Sequence, residues 1–365
     1  MSVLLTTVVS ILVFGFVIMF HEMGHFITAK KCGIQVNEFS IGMGPVIFKK
    51  MHGGTQYSLR LLPIGGFVSM EGEDGEEEDN EQETPAEPEP LPEELPEEQP
   101  EKTGKAFGEV AVPKRMIVVA AGAIMNLILG FLVMLVLLSG VDAITSRTIY
   151  DFEPGALCHE TGLEPGDEVL AVNGRRTFVA GDILYELQRS PDYTADFTVK
   201  RDGEKVELPA VQFGTMEQDG QTVMQIGFRV YGIEPTPLNV VREAGNWVAY
   251  FTRLVFRSLA DLVTGRVSVN QLSGPVGIVS ILNEAVGMGW QEILNIMALL
   301  TVNLGVFNLL PFPALDGGKL VLLAIEGVTH KPVPAKVEMA INALGMVCLL
   351  GLMLFATFND ITRLI

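Results

Sequence analysis

Cysteine is scarce in this chain. Only three occur among 365 residues, Cys32, Cys158 and Cys348. Their wide spacing excludes a disulfide framework and a CxxC metal pair. Charge is absent from four long stretches: Val3 to Phe20, Met116 to Val141, Ile293 to Leu315 and Met339 to Asn359. Each approaches or exceeds the length that spans hydrocarbon. With 48% hydrophobic residues and a mean hydropathy of +0.35, the chain reads as a membrane protein. Its length allows two or three domains. The first apolar stretch has no basic segment before it and no small-residue cleavage site after it. It is therefore expected to be a retained transmembrane helix rather than a signal peptide.

Lysine and arginine are missing from residues 71 to 101, which hold 16 of the chain's 44 acidic residues. The net charge of −19 is thus a local property, because the remaining acids and bases nearly balance. This excludes a global field for binding a cationic partner, and nothing suggests nucleic-acid binding. The segment also holds six prolines, five of them in EPEPLPEELPEEQP. Such a composition buries too little apolar surface to offset chain entropy. It is expected to be a disordered spacer over 71–104, either a solvated connector or a docking tail.

What is present divides the chain further. Helix one is expected over 1–30, ending at the basic pair Lys30 and Lys31. Residues 31–70, rich in glycine and β-formers with the turn HGGTQ, predict curved hairpins at or in the membrane surface. A second membrane helix is expected over 115–141, starting beside Lys114 and Arg115. Basic residues flank both ends of the loop between these helices, so the loop is expected in the cytoplasm, with both termini outside. Residues 146–235 predict a soluble insert. It has a short helix before GLEPGD, a strand EVLAV, a turn at Asn173-Gly174, a helix in GDILYELQRS and a hairpin around Asp202-Gly203. Residues 236–270 show Trp247, Tyr250, Phe251, Leu254, Val255 and Leu259 at helical spacing beside Arg253, Arg257 and Arg266. This helix either lies at the membrane interface or packs on the insert. The short apolar stretch LSGPVGIVSILN completes a region at 236–283. The last two membrane helices are expected over 291–320 and 338–361.

HEMGH carries the chemistry. His21 and His25 are four residues apart on a helix, so both rings leave one face and can grip one zinc ion. Glu22 beside them can take a proton from water. Ionisable groups at membrane depth default to function. A catalytic zinc takes three protein ligands. Asp316, in ALDGGK at the end of helix three, lies on the same side of the membrane as the histidines. At 1.5 Å per residue His25 and His21 sit about 7 Å and about 14 Å below Lys30, and Asp316 is similarly shallow. Asp316 reads as the third ligand, or as a helix-end carboxylate capping a turn. Pro311 and Pro313 should interrupt helix three before Asp316, and the freed backbone groups then need a protein-lined or wet cavity. Asn308 in this stretch could hydrogen-bond a substrate or a developing oxyanion, or pack between helices.

Together, HEMGH, SIGMGP with LLPIGGFVSM, AGAIMN, LSGPVGIV and NLLPFPALDGG resemble the bacterial site-2 proteases, of the RseP/RasP type that cuts membrane proteins within the bilayer. The resemblance covers nearly the whole chain in order, except the acidic spacer. It implies an α-helical membrane protein. A four-transmembrane-helix metalloprotease core would carry a membrane-reentrant β-loop and one inserted PDZ domain, a β-rich α+β fold. It implies one Zn²⁺ per chain on His21, His25 and Asp316, and Glu22 as catalytic base. Asn308 and Pro313 match positions associated with substrate handling, and Gly65 and Gly66 lie in the β-loop where a substrate strand would pair. Gly162, Leu163, Gly166, Asp167, Asn173 and Gly174 match recurring PDZ positions. The chain departs from the family in having Ala121-Gly122-Ala123 where AGP is common, in its single PDZ unit, and in the acidic spacer.

The resemblance further implies single-pass membrane proteins as substrates, such as anti-sigma factors or remnant signal peptides. An upstream site-1-type protease would act first, and the location would be the bacterial cell membrane, with the active site near its cytoplasmic face. A non-catalytic PDZ scaffold is the alternative, but a scaffold needs neither HExxH nor Asp316. A metal transporter would spread polar residues through several helices, which this chain lacks.

Overall fold

The computed structural model describes residues 3–73, 104–218 and 221–364. The acidic spacer expected over 71–104 therefore lies almost wholly outside the described residues. The chain forms two compact units, residues 1–130 with 258–365 and residues 131–257.

In the first unit, α1 (Val3–Cys32) carries HEMGH and runs two residues past the expected end. The helices α2 (Val112–Ser139, of which residues 112–130 belong to this unit), α7 (Trp290–Asn308) and α9 (Ala335–Leu364) join α1 as the four described helices long and apolar enough to cross a membrane. Between α1 and α2 lie two long strands, β1 (Val36–His52) and β2 (Thr55–Met70). They fold back on themselves. Residues 38–41 pair with 66–69 on one side and with 56–59 on the other, and 57–60 pair onward with 46–50. The result is a curved sheet of four segments with 66–70 at one edge and 46–50 at the other. Gly42, Gly44 and Gly65, with φ of +89°, +84° and +88°, allow the bends. Met43, Ile47, Phe48, Leu61 and Leu62 are more than half exposed at the far end. An apolar patch of this kind suits a non-aqueous setting.

The single helix expected over 291–320 is instead two. The first, α7, stops at Asn308, and α8 (Asp316–Thr329) starts at Asp316. Pro311 and Pro313 lack the N–H that would continue the ladder, and Ala314 takes a φ of +66°. Gly317 and Gly318 let α8 begin tucked under this turn. A Cβ on Gly317 would stand 2.0 Å from the Leu310 carbonyl oxygen, and one on Gly318 2.4 Å from that of Phe312. The GPVG stretch is likewise the start of a helix, α6 (Pro275–Met288), led by a proline at its first turn.

The second unit is built on a sheet in the order β10, β3, β4, β6, β7, with β5 paired to β4. These strands are β3 (Ile144–Phe152), β4 (Glu168–Val172), β5 (Arg175–Arg176), β6 (Thr194–Arg201), β7 (Glu204–Gln212) and β10 (Phe228–Ile233). A separate hairpin joins β8 (Gly214–Gln218) to β9 (Gln221–Gln225). Helices α3 (Leu157–Glu160) and α4 (Ala180–Leu187) complete it. Ile149, Leu163, Val169, Ile183, Leu187, Phe197 and Val211 form its core. The buried carboxylate of Asp167, in GLEPGD, accepts two hydrogen bonds of 2.8 Å from Arg201. Asn173 bridges its turn, accepting from the Asp196 N–H at 2.9 Å and donating to Ser190 at 2.8 Å. The helix expected over 236–270 is α5 (Pro237–Val263). Up to Arg257 it packs on the insert: Arg253 pairs with buried Asp182, and Arg257 with buried Glu186.

Candidate metal centre

The local sequence of α1 places His21 and His25 one helical turn apart, with both side chains buried. Their Nε2 atoms lie 3.2 Å apart. Asp316, the first residue of α8, brings its Oδ2 to 3.4 Å from His21 Nε2 and 3.5 Å from His25 Nε2. A tetrahedral zinc with bonds of about 2.0–2.1 Å has ligand-to-ligand edges of about 3.3–3.4 Å. The three observed separations match those edges.

The surrounding bonds identify the free atoms. His25 Nδ1–H donates to the Val118 carbonyl at 2.9 Å, leaving Nε2 as a bare lone pair. Asn126, fully buried on α2, stands 3.3 Å from His21 Nδ1. The Asn126 Oδ1 is buried without a donor if its amide nitrogen faces the ring. Turning the amide gives Oδ1 the His21 Nδ1–H and frees His21 Nε2. Asp316 Oδ2 is also buried and receives no hydrogen bond. Three acceptors therefore converge with no proton between them, an arrangement that a cation satisfies. Among the described residues this is the only trio of histidine, cysteine or carboxylate groups close enough to hold a metal.

Small residues make room for the rings. A Cβ on Gly122 would stand 2.2 Å from His25 Nε2 and 2.7 Å from His21 Cε1. A Cβ on Gly24 would stand 2.4 Å from the Ala121 carbonyl oxygen, so the backbones of α1 and α2 meet closely there. Of the other residues singled out from the sequence, Asn308 places its amide nitrogen 3.3 Å from His21 Nε2. Gly66 lies at Glu22, whose Cγ would be 3.5 Å from an added Cβ. Gly65 packs against the Met43 side chain, and Pro313 is pressed against Gly345 of α9. Three participants escaped the sequence reading as site residues: Val118, Gly122 and Asn126. Their spacing on one face of α2 was a visible signal, but only in combination with a partner helix.

Two imidazoles and a carboxylate, brought together from separate helices beside a glutamate, form a candidate metallohydrolase centre on a membrane-type scaffold. The profile of peptidase family M50 matches residues 9–352. The chain is 31% identical to the regulator of sigma-W protease RasP of Bacillus subtilis, over 98% of this chain and 99% of the relative. It is 32% identical to the zinc metalloprotease RasP of Shouchella clausii, again over 98% and 99%. It is 31% identical to the "probable protease Eep" of Enterococcus faecalis over the same shares. The chain belongs to peptidase family M50, and it is a zinc metalloprotease of the site-2 protease type.

Proposed function

We propose that this chain cleaves peptide bonds in or near transmembrane segments of single-pass membrane proteins, with one Zn²⁺ held by His21, His25 and Asp316. The observation that carries this reading is the trio of acceptor atoms at tetrahedral spacing, built from apolar helices. Bound zinc would polarise the scissile carbonyl and acidify water. Glu22 takes the proton of the attacking water and later gives it to the leaving amide nitrogen. Asn308 donates a hydrogen bond toward the reacting carbonyl. One edge segment of the curved sheet, 66–70, runs past Glu22 at Gly66. Residues 66–69 pair on one side with 38–41, and an unwound substrate adds as a strand along the other. Pairing answers the main difficulty of cutting inside lipid, where an opened helix leaves backbone groups unsatisfied.

Residues 146–235 act in this reading as a single PDZ domain outside the cell, excluding substrates whose outer domains an upstream site-1-type protease has not yet trimmed. The name of the Bacillus subtilis relative, a regulator of sigma-W, favours anti-sigma-factor-like substrates over remnant signal peptides. The decisive experiment compares wild type with Glu22→Gln for zinc content and for cleavage of a panel of single-pass membrane proteins. Zinc should be equal and cleavage should fall by about a hundred-fold or more. Cleavage by the variant at the wild-type rate would refute the assignment of the base. Proline substitutions through residues 57–69 that leave both fold and cleavage intact would refute strand pairing.

A further inference from the structure

Asp316 does not belong to a membrane-crossing helix. It opens α8, which is separated from α7 by the seven-residue turn 309–315. The placement of the third acceptor therefore depends on what holds α8. One face of α8 answers this. Asp316, Lys319, Leu323 and Glu326 recur at helical spacing. Leu323 is buried in the same core as Phe107, Val118 and Val119. Glu326 receives both arms of Arg115, Nη2 to Oε1 at 2.5 Å and Nη1 to Oε2 at 3.1 Å. The two side chains are only 10% and 16% exposed. Lys319 donates to Glu73, the last described residue after β2, at 2.6 Å.

One face of α2 carries the counterpart. Arg115 is followed at i+3, i+7 and i+11 by Val118, Gly122 and Asn126. These are the residues whose carbonyl holds His25, whose missing side chain admits both rings, and whose amide meets His21. From Arg115 the helix rises about 10 Å to Gly122 and about 16 Å to Asn126, and α8 rises about 15 Å from Glu326 to Asp316. The α8 length falls between the two α2 lengths, so pinning Glu326 to Arg115 brings Asp316 level with the two histidines.

We propose that Arg115 and Glu326 are positioning residues for the third metal ligand. Their bidentate pair sets the register of α8 along α2, and so delivers Asp316 to His21 and His25. A planar fork gripping a carboxylate at two points suits a registry role, since it fixes direction as well as distance. The inference rests on the metal assignment made under the proposed function.

The test uses the full chain purified in detergent: wild type, Arg115→Gln, Glu326→Gln, the exchanged pair Arg115→Glu with Glu326→Arg, and Arg201→Gln as a control for ion-pair loss elsewhere. Each is loaded with Zn²⁺ alone, and zinc release to a chromophoric chelator is timed. The absorption spectrum of Co²⁺-loaded protein reports the number of protein ligands. Both single variants should release zinc about ten-fold faster or more, with a cobalt spectrum shifted toward that of Asp316→Asn. The exchanged pair should recover the slow release, and Arg201→Gln should match wild type. Single variants that stay folded and keep wild-type release and cobalt spectra would overturn the inference. If they fail to fold, the double variant Arg115→Met with Glu326→Met removes both buried charges together. Fast release from it supports the inference, and wild-type release overturns it. A wild-type chain that takes up no zinc would instead overturn the metal assignment itself.

Discussion

Replacing Gly122 by alanine is the sharpest small perturbation the structure offers. Helix propensity alone favours the change, by about 1 kcal/mol for glycine to alanine within a helix. The site opposes it. The new methyl carbon would stand 2.2 Å from His25 Nε2, where ordinary contact begins at 3.4 Å, so about 1.2 Å of displacement is required. The clash is shared by His21 Cε1 and His25 Cε1, both at 2.7 Å, so neither ring can yield toward the other. Metal–ligand distances tolerate only about 0.2 Å. A displacement of about 1 Å is enough to reduce catalysis by about a hundred-fold. Gly122→Ala should therefore keep its helical circular dichroism while zinc affinity falls by about ten- to a hundred-fold. Zinc per chain is measured by atomic emission after dialysis against a graded chelator series, in parallel with cleavage of a membrane substrate. Full zinc occupancy and near-wild-type cleavage would refute the steric reasoning.

Other expectations follow from the same contacts. Asn126→Ala should weaken zinc retention because His21 loses the partner of its Nδ1–H, and a chelator-competition titration reads this directly. Asp167→Ala removes the buried carboxylate that accepts from Arg201 and from the Glu164 N–H, and should destabilise residues 131–257 by about 1–3 kcal/mol in denaturant unfolding. Burial lifts the Cys158 thiol from its ordinary 9.0 to about 11. The folded state thus prefers the neutral thiol, and this contribution is fully present below pH 9 and lost as pH rises to about 11. Native Cys158 should resist iodoacetamide at pH 8, with mass spectrometry of the labelled chain as the check. Chelation of zinc should abolish cleavage yet leave hydrogen exchange in the core around Phe197 unchanged, because that core contributes no ligand.

Much of the site was legible in short motifs because its chemistry is local. The i, i+4 spacing of His21 and His25 is set by helix pitch, so a strip of five residues predicts two acceptors on one face. Asp316 was readable because few polar residues stand at comparable depth. Helix boundaries were less so. The proline pair at Pro311 and Pro313 signalled a break in the ladder, but not that the chain would restart as α8 at Asp316. The LDGG glycines decide that, and their role depends on carbonyls of Leu310 and Phe312 that only a folded turn brings near. Similarly, the arginines of α5 fitted both a lipid interface and a packed helix. Asp182 and Glu186, buried beneath Arg253 and Arg257, give two of those arginines partners that only the folded insert brings near.

The sequence alone determined the class of the molecule. Apolar runs of bilayer length and the paired histidines of HExxH follow from solvation and from the fixed pitch of a helix, and neither needs a partner in space to be recognised. Only the tertiary structure decided how the centre is held. Val118, Gly122 and Asn126 are a carbonyl, an absent side chain and an amide on a helix without any motif of its own. Arg115 and Glu326 are 211 residues apart. Such roles arise from distances between helices, and a linear order of residues does not contain those distances.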